Sequence, residues 1–358
     1  EINPLFSDSV YIDRLSRIPA IMEMPYNDII RKFIDMYAGR LRNQVSFMLS
    51  ACNFYMPIFE EALDAYGLPL ELRYLPIIES ALNPSAVSRA GASGLWQFMI
   101  GTGKIYGLES NSLVDERRDP IKATWAAARY LKEMYDIYGD WNLVIAAYNC
   151  GPGTINKAIR RANGETDYWK IYNYLPKETR GYVPAFIAAN YVMTYYCDHN
   201  ICPMETNIPA STDTVQVNKN LHFEQIADLC NVPLDQIKSL NPQYKKQMIP
   251  GDSKPYTLRL PIDAISTFID KQDTIYAHRA DELFRNRKTV AVKEITPSTR
   301  KTTAAVAGKG KLTYYTIKSG DTLSTIAGKY GVTIKDIQRW NGMSNTKIAA
   351  GKRLKIYK

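Results

Sequence analysis

The chain is short of the residues that metal and redox chemistry rely on. Three His stand among 358 residues, and the five Cys (Cys52, Cys150, Cys197, Cys202 and Cys230) form no Cys/His cluster with metal-ligand spacing. An odd count leaves at least one thiol unpaired within the chain; Cys197 and Cys202 are near enough in sequence to bridge, or stand reduced and buried. No apolar run approaches the roughly 20 residues of a membrane span. No signal peptide is visible either, yet the chain opens at Glu1 without an initiating Met, which suits a processed or truncated form with an export signal upstream. A phosphate loop is missing as well. Gly101-Thr102-Gly103-Lys104 lacks the earlier Gly, Phe98 standing in its place, and Ile105 replaces the Ser or Thr, so the segment reads as a turn.

What the chain does have is apolar mass and an uneven charge. A hydrophobic content of 46% over a length suited to two or three domains supports real cores. The net charge of +9 is concentrated late: residues 1–270 carry 26 basic and 30 acidic side chains, 271–311 carry 10 and 4, and 312–358 carry 9 and 2. Such a basic C-terminal part suits nucleic acid, an anionic cell-wall polymer or a membrane surface alike.

The first 200 residues are helical in pattern. After a loose Pro/Asn/Ser segment, Ile29, Ile30, Phe33, Ile34 and Tyr37 form one apolar face, and Tyr55 to Tyr66 is a second helix closed by Gly67. Asp119-Pro120 and Asp140 open two more, the latter ending at Asn149-Cys150-Gly151, and a further helix runs from Tyr182 to Tyr196. After Pro203 the pattern becomes strand (Thr214–Val217), two short helices (Phe223–Leu229, Leu234–Leu240) and strand (Tyr256–Leu260). Residues 271–311, basic and rich in Thr, Ala and Lys, read as a flexible linker. Tyr314 to Tyr357 then repeats strand, helix (Ser324–Tyr330), helix (Ile334–Trp340), strand (Arg353–Tyr357), about 100 residues after the first copy.

The chemistry is concentrated in Leu75 to Met99. Leu72, Leu75 and Ile78 place Glu79 near the end of an amphipathic helix that Asn83-Pro84 stops, and Gly91 and Gly94 turn the chain into an apolar segment carrying Gln97. A carboxyl group among apolar neighbours at a helix C-terminus is disfavoured as an anion by desolvation and by the helix dipole, which is how a glutamate becomes a general acid. Leu95, Trp96, Phe98 and Met99 are expected to form an apolar wall that keeps water away.

Glu79-Ser80, Asn83-Pro84 and Gly91-Ala92-Ser93-Gly94-Leu95-Trp96-Gln97-Phe98-Met99 together resemble the catalytic segment of the goose-type lysozyme and lytic transglycosylase superfamily. Ala147-Tyr148-Asn149-Cys150-Gly151 and Glu178-Thr179-Arg180-Gly181-Tyr182 are the second and third matching motifs, in the same order, and the whole is most similar to the membrane-bound lytic murein transglycosylase D group. Both βααβ segments resemble LysM glycan-binding modules, the second through Gly320-Asp321-Thr322-Leu323. In the first, Asn218-Lys219-Asn220-Leu221 replaces that turn, so this copy either reads glycan or only braces the catalytic domain.

The resemblance implies an all-α lysozyme-like catalytic domain (1–205, core about 55–200) followed by a degenerate LysM-like module (206–270), the linker (271–311) and a LysM module (312–358), both modules α+β. It implies cleavage of peptidoglycan between N-acetylmuramic acid and N-acetylglucosamine with 1,6-anhydromuramoyl ends, without metal or cofactor. Glu79 would be the catalytic residue, with Ser80, Ser88, Gln97, Met99, Tyr148, Asn149, Glu178 and Tyr182 in the cleft, and Gly320, Asp321, Thr322 and Leu323 on glycan in the last module. Expected partners are peptidoglycan strands and not nucleic acid, with a monomer in the periplasm or envelope of a Gram-negative cell and room for an outer-membrane lipid anchor upstream of residue 1. The rivals are a goose-type hydrolase using Glu178 as second carboxylate, and an idle glycan-binding scaffold.

Overall fold

The computed structural model describes residues 3–206, 208–209, 211–284, 312–318, 321–343, 345–346 and 348–357. The chain divides into two compact units, Glu1–Ile295 and Thr296–Lys358. Among the described residues no helix is long and apolar enough to cross a membrane.

The first unit opens with ten helices: α1 (Asp8–Arg17), α2 (Asp28–Ala38), α3 (Arg42–Ala65), α4 (Leu75–Ser80), α5 (Ile100–Ile105), α6 (Pro120–Tyr138), α7 (Trp141–Cys150), α8 (Pro152–Arg161), α9 (Tyr168–Ile171) and α10 (Lys177–Thr194). Side-chain caps set several starts. Asn27 accepts from the Ile29 and Ile30 amides, Asp119 from Ile121 and Lys122, and Asp140 from Leu143, each satisfying donors that the first helical turn leaves open. One core unites all of these except α5, with Phe59, Trp96, Tyr168 and Phe186 fully buried; α10 packs along α2 and α7, and α3 along α6.

Several local expectations are corrected. The opening segment is not loose throughout, because α1 buries Tyr11 and Leu15. The helix expected from Tyr55 starts at Arg42, and the one expected from Tyr182 starts at Lys177 and runs through Pro184. Gly101-Thr102-Gly103-Lys104 is the body of α5, not a turn: the missing side chain of Gly103 lets the helix lie against the Arg117 side chain, whose Cδ is 3.2 Å from where a Cβ would stand.

The rest of this unit is a small module. β1 (Thr212–Val217) pairs antiparallel with β4 (Tyr256–Pro261), and β2 (Asn220–His222) with β3 (Met248–Pro250). Helices α11 (Phe223–Cys230) and α12 (Leu234–Leu240) lie between them, followed by α13 (Ile262–Asp270), α14 (Gln272–Ala277) and α15 (Ala280–Leu283). The last two correct the linker at its start. Ile275 is fully buried, the Gln225 amide donates to the Tyr276 and His278 carbonyls at 3.1 and 2.7 Å, and Arg279 pairs with Asp228 at 3.0 Å. Residues 285–311 of the expected linker lie outside the described residues.

The second unit contains β5 (Leu312–Thr316) paired antiparallel with β6 (Arg353–Tyr357), and α16 (Leu323–Tyr330) and α17 (Ile334–Asn341) over a core that includes Ile317, Leu323, Ile326, Ile337, Leu354 and Ile356. The two modules share one lock. The Asn341 amide donates to the Ile337 and Lys355 carbonyls, both at 2.8 Å, while its oxygen accepts from the Lys355 amide at 2.7 Å. Asn241 does the same with Ile237 and Arg259, at 2.9, 2.8 and 2.8 Å.

One glycine is fixed by a close approach. Gly94 has φ +88°, and a Cβ there would sit 1.8 Å from the Arg117 carbonyl oxygen. Gly94→Ala is therefore expected to lower stability by about 3 kcal/mol, the sum of a left-handed residue and an overpacked contact, measured by denaturant unfolding.

Candidate active site

The site is made by ending a short helix abruptly. After Glu79 and Ser80 on α4, both Ala81 (φ 52°) and Leu82 (φ 58°) take the left-handed conformation. Their amides return to the carbonyls of Ile77 at 3.1 Å and Pro76 at 3.3 Å, which caps α4, and the Leu82 side chain is buried. Two consecutive non-glycine residues in this region are strained, and the strain sits next to the candidate acid.

The chain then folds into a hairpin-like loop over 86–98, held by antiparallel bridges Val87↔Ser93 and Ser93↔Phe98. The Ser88 hydroxyl accepts from the Ala92 amide at 3.0 Å. Gln97, at φ 50°, donates its side-chain amide to the Gly94 carbonyl at 2.8 Å. Two outer contacts fasten the loop to the helices: the Ser80 hydroxyl lies 3.0 Å from the Leu95 carbonyl, and the Tyr148 hydroxyl donates to the Trp96 carbonyl at 2.7 Å.

α4, this loop, α2, α3 and the start of α10 enclose a cleft of about 590 Å³. Of the residues expected there, Glu79, Ser80, Ser88, Gln97, Glu178 and Tyr182 line it. Tyr148 and Asn149, both half-buried, are not among its lining residues. Tyr148 lies close enough to Glu79 for their charges to interact, and Asn149 accepts from the Thr179 hydroxyl at 3.0 Å, tying the end of α7 to the start of α10. Met99 caps α5 at 45% exposure, outside the cleft lining.

The expected apolar wall is also corrected, since Leu95, Trp96 and Phe98 are buried in the core. The wall is built instead by Ile77, Ile78 and Val87 together with Phe33, Met36, Leu41 and Met48. The apolar face of α2 was legible, but an apolar face looks the same in sequence whether it meets a core or a cleft.

Glu79 receives a hydrogen bond from the Tyr182 hydroxyl. Burial pushes its pKa up to about 7, the phenol bond works against that by favouring the anion, and the charge of Glu178 adds a smaller upward push. The carboxyl therefore sits where it can both give and take a proton near neutral pH. Tyr182 and Tyr148 are held well above their ordinary values, first by burial and then by the charge of Glu79, so both phenols stay protonated. Glu178 lies in the first turn of α10 with an exposed side chain. Each of the five cysteines is a free thiol, so Cys197 and Cys202 are not bridged. Among the described residues no group of three or more His, Cys, Asp or Glu side chains is placed to hold a metal ion.

In the C-terminal module, Gly320 lies outside the described residues. Asp321 accepts from the Tyr315 hydroxyl and the Lys318 amide, both at 2.8 Å, and Thr322 caps α16. Leu323 is 2% exposed, so it shapes the turn from inside and cannot meet a glycan as expected. A cavity of about 420 Å³ nearby is lined by Ile317, Asn341, Met343, Ile348, Ala349, Lys352, Arg353 and Leu354.

Comparison with known proteins agrees with this architecture. Residues 56–171 match the transglycosylase SLT domain, 211–277 the LysM-like domain of the lytic transglycosylase MltD, and 315–356 the LysM domain. Over 339 residues the chain is 31% identical to membrane-bound lytic murein transglycosylase D of Escherichia coli strain K12, covering 94% of this chain and 70% of that protein. The chain belongs to the membrane-bound lytic murein transglycosylase D family. It is also 33% identical over 124 residues to the soluble lytic murein transglycosylase of the same strain, covering 33% of this chain and 19% of that protein. The structure of the 70 kDa soluble lytic transglycosylase from Escherichia coli overlays 40% of this chain and 24% of that chain, at 29% identity and a TM-score of 0.35. In this family member the cleft residues Phe33 to Met48 and Glu178 to Ala185 lie outside the matched 56–171 segment, so half the cleft is built by flanking helices.

Tyr182→Phe tests the balance at Glu79. Losing the phenol bond removes the one influence that favours the carboxylate, so the pKa of Glu79 rises further. The alkaline limb of the pH–activity profile, where protonated Glu79 is lost, should move to higher pH than in the unaltered protein.

Proposed function

We propose that Glu79 alone serves as acid and base in cleaving the β-1,4 bond of peptidoglycan between N-acetylmuramic acid and N-acetylglucosamine. The observation that carries this is a half-buried carboxyl, its pKa pushed up to about 7 by desolvation, with one phenol as partner in an apolar-walled cleft. Protonated Glu79 gives its proton to the leaving O4 as the bond from C1 to O4 breaks. Its carboxylate then takes the proton of the muramic C6 hydroxyl as O6 bonds to C1, closing a 1,6-anhydro ring without water.

A glycosidase normally uses two carboxyls, and here the substrate's own 2-acetamido group takes the place of the second. Its carbonyl oxygen bonds C1 as O4 leaves and is displaced, with return of the neutral amide, when O6 bonds to C1. The Tyr148 proton is committed to the Trp96 carbonyl, which leaves the phenol oxygen able to accept the acetamido N–H. Ser80, Ser88, Gln97 and Tyr182 position the sugars, with Asn149 holding the start of α10. Glu178, exposed at that start, is a poor positioner of water, which disfavours the hydrolase reading. An intact acid in this setting disfavours the idle scaffold. The C-terminal module holds the enzyme on glycan strands through the face around Asp321 and the neighbouring cavity. The place of action is the cell envelope, with the periplasmic face of the outer membrane and an anchor upstream of residue 1 as the finer reading.

Glu79→Gln should lower turnover of purified sacculi by about 10⁴-fold, because one group supplies both proton transfers. The same variant should gain stability with a definite pH dependence. The folded pKa of about 7 lies above the ordinary 4.5, so the unaltered protein loses stability as pH rises through that window. Thermal melts should show the variant more stable at pH 8 and equal at pH 4.

Digestion in water enriched in heavy oxygen separates ring closure from hydrolysis. The C6 hydroxyl belongs to the same molecule as C1, and its effective concentration exceeds what unpositioned water can match. New muramic ends should be anhydro sugars without label. Labelled reducing ends would mean that water attacks, with Glu178 as the group to examine.

A further inference from the structure

We propose that the partner of the module at 211–277 is the active-site loop of the same chain, and that Arg117 is the positioning residue through which the module acts. The evidence begins with how the module differs from its C-terminal copy. In that copy Ile317, Met343 and Ile348 line an open cavity. The corresponding residues of the first copy, one hundred positions earlier, are Val217, Gln243 and Met248. Val217 and Met248 are fully buried, and β2 is zipped to β3 across this place. Gly251 seals the turn, since a Cβ there would lie 2.3 Å from the Lys219 carbonyl oxygen. The groove has been closed by the module's own backbone.

The loop after α12 faces the catalytic domain instead. The Asp115 amide donates to the Gln243 carbonyl at 2.9 Å, the Lys245 amide donates to the Leu113 carbonyl at 2.7 Å, and Val114 bridges to Tyr244 in antiparallel fashion. Leu113 and Val114 belong to the module's hydrophobic core, and not to that of the helical domain. The Lys245 ammonium donates to the Asn111 carbonyl at 2.8 Å and stands 3.8 Å from the Asp115 carboxylate. At the far edge, Lys254 and Tyr256 meet Glu109 at 2.6 and 3.1 Å.

From Asp115 the chain of contacts enters the active site. Both Asp115 oxygens accept from Arg117, at 2.9 Å from Nε and 2.8 Å from Nη2, and both side chains are buried. The remaining Arg117 nitrogen, Nη1, donates to the carbonyls of Gly91 and Phe98, each at 2.9 Å, clamping the two ends of the turn that carries Gln97. Arg118 adds a bond to the Ser93 hydroxyl at 3.0 Å, and the Arg117 backbone is what Gly94 lies against. A bidentate buried pair fixes geometry more strictly than a single contact, so the module's hold on Asp115 is passed to the cleft wall. This rests on the reading that Gln97 and Ser88 face the glycan.

The test uses the full chain with Lys245→Met, which keeps the volume and removes the charge at Asp115, and Tyr256→Phe, which weakens the same interface at Glu109 and not at Asp115 or Arg117. Hydrogen exchange at the Ser93, Gly94 and Gln97 amides reads the loop without reference to catalysis. For Lys245→Met we expect faster exchange at these amides and a fall of about tenfold in kcat/KM on a soluble glycan fragment, with the alkaline limb set by Glu79 unmoved. Lys245→Arg should restore both, and Tyr256→Phe should leave both unchanged. Unaltered exchange and kcat/KM in Lys245→Met would overturn the proposal, as would equal effects from Tyr256→Phe, which would mark a merely structural interface. If Lys245→Met fails to fold, Asp115→Asn, which breaks one leg of the Arg117 pair, is read by the same exchange, and protection like that of the unaltered loop overturns the proposal. Altered exchange in a protein that cleaves no glycan would keep the positioning role and sink the substrate reading instead.

Discussion

A carboxyl group in an apolar cleft with one phenol as partner is the constraint on which this structure depends. Water would hold Glu79 ionised, so the protein has to exclude most of it while leaving a sugar chain room to enter. The two demands are met by different elements. Ile77 and Ile78, just before it in α4, with Phe33, Met36 and Met48 from α2 and α3, supply the low-dielectric surroundings. Tyr182 from α10 supplies a single donor, which stops the pKa from climbing so far that the group could no longer act as a base.

That arrangement explains where the backbone is strained. Glu79 has to project from the last turn of a helix whose chain then leaves at once, because the loop of 86–98 forms the adjoining wall. Ala81 and Leu82 accept left-handed geometry to make that exit, and Gln97 does so to return its side chain to the turn. Each such residue costs about 1 kcal/mol or more, which a core as extensive as the one around Trp96, Phe59 and Phe186 can offset.

The helical character, the caps at Asp119 and Asp140, both βααβ copies and six of the residues lining the cleft were legible in sequence, since each has a local signature: a period, a capping residue, or a motif spread over fixed positions. What escaped was non-local. The Phe33 to Met48 wall reads as ordinary core pattern, and nothing in one sequence says which end of an apolar stripe is left uncovered. β2 and β3 have three residues each, too short for a period of two to be seen. α5 contains two glycines, a composition that reads as a turn, whereas Gly103 packs on the Arg117 side chain in helical conformation. The early start of α10 was hidden by Gly181, which usually punctuates a helix but here lies inside it, against Phe33.

The two modules show how one βααβ fold is turned to two ends. The lock formed by Asn241 and Asn341 is the same in both, so the packing of α12 on β4 and of α17 on β6 is preserved. Within the shared βααβ part, divergence lies in the turn before the first helix and the segment after the second, and the first copy adds α13 to α15 to its core. A capped, open turn with Asp321 and Thr322 leaves a cavity in one copy; a strand pair over the same place removes it in the other. A module that has closed its groove has no reason to move on a tether, and here it is joined to the helical domain by backbone hydrogen bonds, shared apolar core and a buried charge network. Rigid attachment is what a support requires, because a contact that positions a loop can only be as exact as the body that carries it.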